Sequence, residues 1–473
     1  MKDYKTVFEE ALQSIKNKGM AGVGLVEKAF LFAEEKHLGQ FRKGGLPYIS
    51  HPVDVMAILE KLDFSSDVLA AALLHDVVED CGVTLAELES NFNPVVAKIV
   101  DAVTEIQPNE KLENIEAEIK TYQKLVSLGK INRFAFYIKF ADRLHNLQSL
   151  SVFKRYKQIE KIKQTERFLV PLLKILKTKE FYSKITNQCF LTMAEPEEIA
   201  SFKKLYTAHT NNCMDFNQKL FDDLTLAINN FFYKNKIENS LKKIIITPLT
   251  ELEIKEEMEK VYDIKNVNEV KSSFFVNVPS FYLYFVFSND KFTNLIFQLF
   301  EDKDFNALLS LRFFEKDAFS GKNFFVLQSA FRVKYKSFFF SQSEFTIYRN
   351  GALDGTVTDI IDEDFEREII SDYIRVKTKT EEFLLLPKNS TVLDFAFKIH
   401  NDFGFSCKFA HLNDSPVKTP IWAKLSDGDK VDLVIETDET GMAKNIAKLK
   451  WITYVNNEKS KKMLVKYFEN LFE

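Results

Sequence analysis

From residue 1 to about 195 the apolar residues recur three and four positions apart, the spacing that lines one face of an α-helix. VEKAFLFAEEKH, PVDVMAILEKL, SSDVLAAALLHDVVED, LAELESNF, PVVAKIVDAVTEI, FAFYIKFADRLHNLQSL and KQTERFLVPLLKIL each carry the pattern. Ser50, Ser65 or Ser66, Thr84 and Pro94 stand where such helices would begin. Ser and Thr side chains cap a first turn, and proline's fixed φ suits it. The pattern predicts an all-helical domain over 1–195 with short connections.

Residues 196–365 change character. A helical stretch (IASFKKLYTAHTNNCMDFNQKLFDDLTLAINNFFYK) leads into short aromatic and β-branched runs: KKIIIT, FFVNV, FYLYFVFS, KNFFVLQ and EFTIYR. These predict strands, with helices such as KFTNLIFQLFED between them, hence an α+β domain. A charged linker, DIIDEDFERE, precedes a small mixed β-α-β module over 370–437 (DYIRVKT, EFLLLP, VLDFAFKIHNDFG, KVDLVIET). Residues 438–473 predict a basic helical tail in which Lys459, Lys461 and Lys462 form a solvated face. The expected architecture is multidomain, and no internal repeat or low-complexity segment interrupts it.

Composition adds exclusions. With 46% hydrophobic and 28% charged residues in 473, the chain belongs with soluble globular proteins and can bury a sizeable core. The 46 Phe residues are spread through helical and strand patterns alike and read as compositional bias. A net charge of −4 provides no global field for duplex nucleic acid, so an anionic substrate needs a local basic pocket. Cys81, Cys189, Cys213 and Cys407 share no CxxC spacing, which fits a reducing cytoplasm. The N-terminal MKDYKTVFEEALQSIKNKG is a charged amphipathic helix rather than a signal peptide. No apolar run reaches the roughly 18 residues of a membrane span. A cytoplasmic protein without a membrane partner is expected.

Chemistry concentrates in the helical part. His75 and Asp76 are adjacent in LLHDVVED, with apolar residues on both sides. Burying such a pair costs several kcal/mol unless it is paired or bound to a metal. Glu79 and Asp80, three to five positions on, project near the same face if the helix continues. A second apolar helix delivers Asp142, with Lys139 at i−3, His145 at i+3 and Asn146 at i+4. PYISHPVDV places His51 at a helix start. Two imidazoles and two carboxylates suit a divalent first-row metal with open positions, such as manganese, and the Glu79–Asp80 pair could activate a water. A lone buried histidine is more often a hydrogen-bonded core residue, and one His-Asp dipeptide is weak evidence. The ordered set His51, His75–Asp76, Asp142 within one helical domain outweighs that bland reading.

The strings FRKGGLPYISHPVDV, AALLHDVVEDCGVT and IKFADRLHNLQSL closely resemble the hydrolase domain of the RelA/SpoT-homologue family, over roughly residues 22–180. The resemblance implies an HD-type domain that binds Mn2+ and releases pyrophosphate from the ribose 3′ oxygen of (p)ppGpp, leaving GDP or GTP. It implies His51, His75, Asp76 and Asp142 as metal ligands and Glu79 and Asp80 as the water-activating acids. It places Arg42, Lys43, Tyr48, Lys139, Asn146 and Ser149 around the nucleotide. Arginine and lysine suit phosphate and base contacts in such a pocket. Gly44 and Gln148 depart from the family pattern.

In long members of the family a synthetase domain follows. Here VLQSAF resembles the synthetase GYQSLH, with Leu327 at the base-stacking Tyr and Phe331 at the His. SEFTIYR resembles EVQIRT, which makes Glu344 a relic of the catalytic glutamate. The basic ATP-gripping motif is missing, so residues 196–365 are expected to be a pseudo-synthetase that regulates. IRVKT, LPKNSTVLDFAFKIHNDFG, CKFAHLND and LSDGDKVDLVIET resemble a β-grasp TGS domain, which implies a regulatory partner such as uncharged tRNA or acyl carrier protein. His400 fits a tRNA-contacting position or a helix-packing role, and ribosome recruitment is not expected. His37 is expected to support the Arg42 loop, His209 to lie on the surface, and Asp54 to be a helix-face residue and not a ligand. Two rival readings remain. One is a hydrolase of another nucleotide, such as (p)ppApp or NADPH, and the other is a nucleotide or tRNA sensor with little turnover. Oligomeric state is not legible.

Overall fold

A computed structural model of the chain describes residues 3–108, 114–129, 132–236, 238–264, 266–288, 296–317, 320–351, 373–381 and 383–472. The charged linker expected at 359–368 lies outside them. The chain forms two compact units, Met1–Phe365 and Glu366–Glu473.

The first unit opens with helices α1 (Tyr4–Asn17), α2 (Val23–Lys36), α3 (Ser50–Glu60), α4 (Ser66–Leu74), α5 (Val77–Asp80), α6 (Leu85–Asn91), α7 (Pro94–Val103), α8 (Asn114–Gly129) and α9 (Phe134–Gln148). It continues through α10 (Arg155–Gln164), α11 (Val170–Ile175) and α12 (Lys179–Met193). The expected starts are present. Ser65 is the residue before α4, and Pro94 is the first residue of α7. Thr84 caps α6 by accepting the Glu87 amide at 3.1 Å. Every residue from Val68 to Leu74 in α4 is buried, as an all-apolar helix requires.

Helices α13 (Pro196–Asn212) and α14 (Met214–Lys234) lead into a mixed sheet. Its strands are β1 (Leu241–Pro248), β2 (Pro279–Phe287), β3 (Leu309–Lys316), β4 (Asn323–Ser329) and β5 (Lys334–Ser341), in spatial order β1-β2-β5-β4-β3. β2 and β5 run parallel, and the other pairs are antiparallel. Central β2 is buried throughout, which is why FYLYFVF reads as a continuous apolar run. Its residues alternate between two cores. Tyr282, Tyr284 and Val286 pack with Phe338, Phe340 and α15 (Glu251–Tyr262), whereas Phe281, Leu283 and Phe285 pack with Tyr335 and α14. Much of the phenylalanine excess fills this two-sided core.

Helices α16 (Ile296–Glu301), α17 (Lys303–Leu308) and α18 (Gln342–Asn350) complete the unit. Two expected strands are not strands. FFVNV falls in a 3-10 turn, Ser272–Val276. EFTIYR lies in α18, because Ser341 and Glu344 form a capping box that starts a helix at the end of β5. The boundary expected near residue 195 lies inside this unit, where α12 packs on α9 through Phe181 and Phe140 (ring centroids 5.6 Å apart) and meets α15 through Lys179–Glu253.

The second unit is a five-stranded sheet in the order β7-β6-β10-β8-β9. It comprises β6 (Tyr373–Thr378), β7 (Phe383–Pro387), β8 (Cys407–Leu412), β9 (Lys418–Thr419) and β10 (Lys430–Ile435), with α19 (Val392–Ile399) and α20 (Asn401–Ser406). The final helix, α21 (Glu458–Phe472), joins this core through Leu464 and Phe468 beside Trp451 and Val455. Buried Asp394 ties the segment down by accepting the Asn456 and Asn457 amides at 2.9 and 3.1 Å. Lys461 and Lys462 are exposed.

Candidate metal centre

The helical part brings three segments to one point. α3 begins at Ser50 and carries His51 in its first turn. α4 stops at Leu74, and the chain turns through His75 and Asp76 before α5. The continuous helix expected through LLHDVVED is therefore interrupted at the two functional residues. Both residues keep right-handed backbone dihedrals, and both line one cleft. α9 is buried from Ala135 to Leu144 and delivers Asp142.

His51, His75 and Asp142 are only 3, 5 and 8% exposed. One ligand atom of each lies within 4.8 Å of the others. His51 Nε2 is 3.1 Å from Asp142 Oδ1, and His75 Nε2 is 4.0 Å from the same oxygen. Asp76 completes the group, with Oδ1 3.1 Å from His75 Nε2 and Oδ2 3.6 Å from His51 Nε2. His75 Nδ1 donates to the Ala72 carbonyl at 2.8 Å, which leaves a lone pair on Nε2. That Nε2 is buried without a hydrogen-bond partner among the described residues. A buried, unpartnered imidazole nitrogen aimed at two carboxylates is what a cation site requires before its cation is added. The donor set fits a divalent metal.

Burial lowers the pKa of His51. Burial pushes His75 the same way, but the carboxylates of Asp76 and Asp142 more than offset it and the ring is shifted up. Asp142 is driven far down despite its burial, by the adjacent His51 imidazole and by Lys139. Lys139 is itself buried and pairs with Glu105, while Asp142 Oδ2 lies 3.7 Å away. Glu105 in turn donates its backbone N–H to Glu79. Burial raises the Glu79 carboxyl to about 7 against that hydrogen bond. A carboxyl poised there can hold or give up a proton at neutral pH.

A cleft of about 680 Å³ opens over these groups, with Glu79 and Asp80 in its wall. Arg42, Lys43, Tyr48, Lys139, Asn146 and Ser149 all line it. Several of them are held by protein partners. Tyr48 donates to Asp76 Oδ2 at 2.9 Å and stacks on buried His37 (centroids 4.7 Å apart). Asn146 donates to Asp142 Oδ1 at 2.6 Å and accepts from Arg42 at 2.9 Å. Ser149 donates to the Asn146 carbonyl at 3.1 Å, and Lys43 lies 4.6 Å over the Phe153 ring.

Sequence reasoning missed two parts of the centre. Glu105 supports both Lys139 and Glu79. His145 contacts His51 and Asp54, with His145 Nε2 3.2 Å from Asp54 Oδ2. The spacing marks His145 at i+3 from Asp142 and Asp54 at i+3 from His51 but not their pairing. Glu105, inside the apolar pattern PVVAKIVDAVTEI, lies in the loop after α7.

Elsewhere the structure spends the candidate residues differently. Glu344 is committed to the capping box and to Lys322 at 2.6 Å. Leu327 is buried in the sheet core, and Phe331 is exposed and stacked on Phe216. His400 is exposed and meets the Phe403 ring edge-on, with centroids 6.1 Å apart. It caps α20 by accepting the Asp402 amide at 3.2 Å. His209 is not a surface residue, because it stacks on Phe275 at 4.7 Å and buries Nε2. The four cysteines are free. Among the described residues no helix is long and apolar enough to cross a membrane.

Comparison with known proteins agrees with this layout. Residues 29–172 match the HD domain family and residues 374–435 the TGS domain family. Over 439 residues the chain is 22% identical to the GTP pyrophosphokinase rsh of Brucella melitensis, covering 87% of this chain and 57% of that protein. It is 23% identical to the guanosine-3′,5′-bis(diphosphate) 3′-pyrophosphohydrolase of Aquifex aeolicus, covering 94% and 64%. It is 30% identical to the Haemophilus influenzae protein of the same name over 200 residues, covering 42% and 29%. The chain thus spans 57% of the length of the first of these curated relatives. Their names divide between synthesis and hydrolysis.

Proposed function

We propose that this chain, an HD- and TGS-domain protein with RelA/SpoT-family homologues across most of its length, hydrolyses the 3′-pyrophosphate of (p)ppGpp with Mn2+. The products are GDP or GTP and pyrophosphate. The observation that carries this reading is the convergence of His51, His75, Asp76 and Asp142 beneath a cleft walled by Glu79 and Asp80.

In this reading the two imidazoles and two carboxylates hold the cation. When bound there, Mn2+ would polarise the phosphoryl group and lower the pKa of water. Glu79, near pKa 7, takes a proton from the attacking water and returns it to the departing 3′ oxygen, with Asp80 orienting that water. Lys43 sits at the cleft wall and meets the nucleotide's negative charge, while Arg42, Asn146 and Ser149 shape the entrance. Lys139 is occupied by Glu105, so it keeps Asp142 ionised and contributes positive field at short range.

The sheet domain is read as catalytically silent. The cavity of about 420 Å³ beside α15 sets Glu253, Glu256 and Glu257 against Lys174, Lys179, Lys260 and Lys336, so it holds no surplus of positive charge to grip a triphosphate. The relic Glu344 is engaged as a cap. The TGS domain is then the candidate receiver of a regulatory partner, uncharged tRNA or acyl carrier protein. Free cysteines suit a cytoplasmic setting.

The test is incubation of the full chain and Mn2+ with labelled ppGpp, ppApp, NADPH, and ATP plus GDP. Pyrophosphate should appear from ppGpp and disappear in Asp76→Ala. Turnover of ppApp or NADPH alone would redirect the substrate, and ppGpp made from ATP plus GDP would overturn the silent-synthetase reading.

A further inference from the structure

Both imidazoles of the centre must present a bare Nε2, but they reach that state by different routes. His75 donates a hydrogen bond from its Nδ1–H to a backbone carbonyl. His51 Nδ1 instead lies 2.7 Å from His145 Nδ1, and two facing imidazole nitrogens can bond only if one carries a proton and the other a lone pair.

The surroundings decide which. Asp54 Oδ2, 3.2 Å from His145 Nε2, can only accept, so His145 carries its proton on Nε2. Arg42 Nη1, 3.2 Å from His145 Nδ1, can only donate, and a protonated Nδ1 would face a guanidinium. His145 Nδ1 is therefore the acceptor, and His51 Nδ1 must donate to it. The remaining nitrogen of His51, Nε2, then faces Asp142 and Asp76 with its lone pair available.

We propose that Asp54, His145 and Arg42 form a positioning relay that fixes the tautomer and ring orientation of His51 for cation binding. The proposal rests on the metal reading above. The relay also links the two helices that carry ligands, because Asp54 shares α3 with His51 and His145 shares α9 with Asp142. Partners of this kind orient a ligand and raise its basicity, and losing one typically weakens metal affinity about 10–100-fold. None of the three touches the cation itself.

The test is direct titration of the metal-free full chain with Mn2+, followed by the electron paramagnetic resonance of free Mn2+, with thermal unfolding as the folding control. His145→Phe should bind Mn2+ about 10–100-fold more weakly. His145→Gln should recover most of that loss, since one amide can accept from His51 and donate to Asp54. Asp54→Ala, at a partly exposed position, should weaken binding less than His145→Phe while melting like wild type. Unchanged Mn2+ affinity in both His145→Phe and Asp54→Ala would overturn the relay, as would a failure of His145→Gln to improve on His145→Phe. A wild-type chain that takes up no Mn2+ would instead remove the metal reading on which the relay rests.

Discussion

The metal cleft and the cavity beside α15 use the same kinds of residue to opposite effect. In the α12–α15 cavity Glu253 and Glu257 are neutralised on the spot. Glu253 accepts from Lys179 at 2.8 Å, Tyr282 at 2.9 Å, Ser183 and the Thr250 amide. Burial pushes its carboxyl up, yet these partners outweigh it and hold it at about 2. Glu257 is paired with both Lys336 and Lys260. The HD cleft instead keeps the Nε2 of His75 without a hydrogen bond among the described residues, and burial holds Glu79 near 7. A cavity whose charges satisfy one another is a structural joint. A cleft whose imidazoles and carboxylates converge on one point suits a cation.

The largest effect expected from that contrast is in the cleft. Asp142→Ala should abolish pyrophosphate release from ppGpp and Mn2+ uptake together, with calorimetry reading the binding. Retained turnover would break the contrast. On the other side, Lys179→Met strands a buried carboxylate and should cost about 3–5 kcal/mol in denaturant melts. Because α12 also packs on α9, measuring kcat in the still-folded variant shows whether the joint reaches the HD cleft; a stability loss without a loss of turnover keeps the two regions distinct.

Glu79 offers a pH test with a defined sign. Its carboxyl is raised from 4.5 to about 7 in the folded chain, so between these values the folded state binds more protons than the unfolded one. That stability is complete below 4.5 and is lost as pH rises through about 7. Thermal melts of the metal-free chain should therefore fall across this window, and Glu79→Gln should flatten the fall by on the order of 1–2 kcal/mol. A parallel fall in wild type and variant would place the shift elsewhere. The smallest change is expected at exposed Lys461, where Lys461→Ala should move the melt by no more than about 0.5 kcal/mol.

The helices and the four convergent residues proposed as ligands were legible because burial imposes a pattern. Apolar spacing marked α3, α4 and α9, and an ionisable pair inside an apolar run is costly enough to demand a reason. The strand reading of EFTIYR failed where β-rich composition competed with Ser341 and Glu344, whose capping-box spacing was present in the letters and decided the outcome. The same competition cost FFVNV, which turns before β2 begins. The basic tail read over 438–473 also looked independent until Trp451, Val455, Leu464 and Phe468 joined the core of the second unit.

At the metal centre, then, the local sequence determined which side chains had to be explained: His51, His75, Asp76 and Asp142, each set among buried neighbours. Tertiary structure alone decided how they were supported. Asp54 and Glu105 are ordinary surface-type carboxylates in the letters, and they acquire roles only when α3, α9 and the loop after α7 meet. The physical reason is the range of the forces. Helical periodicity and the cost of buried charge act within a few residues, whereas a hydrogen bond that sets a tautomer joins partners 94 positions apart in the chain.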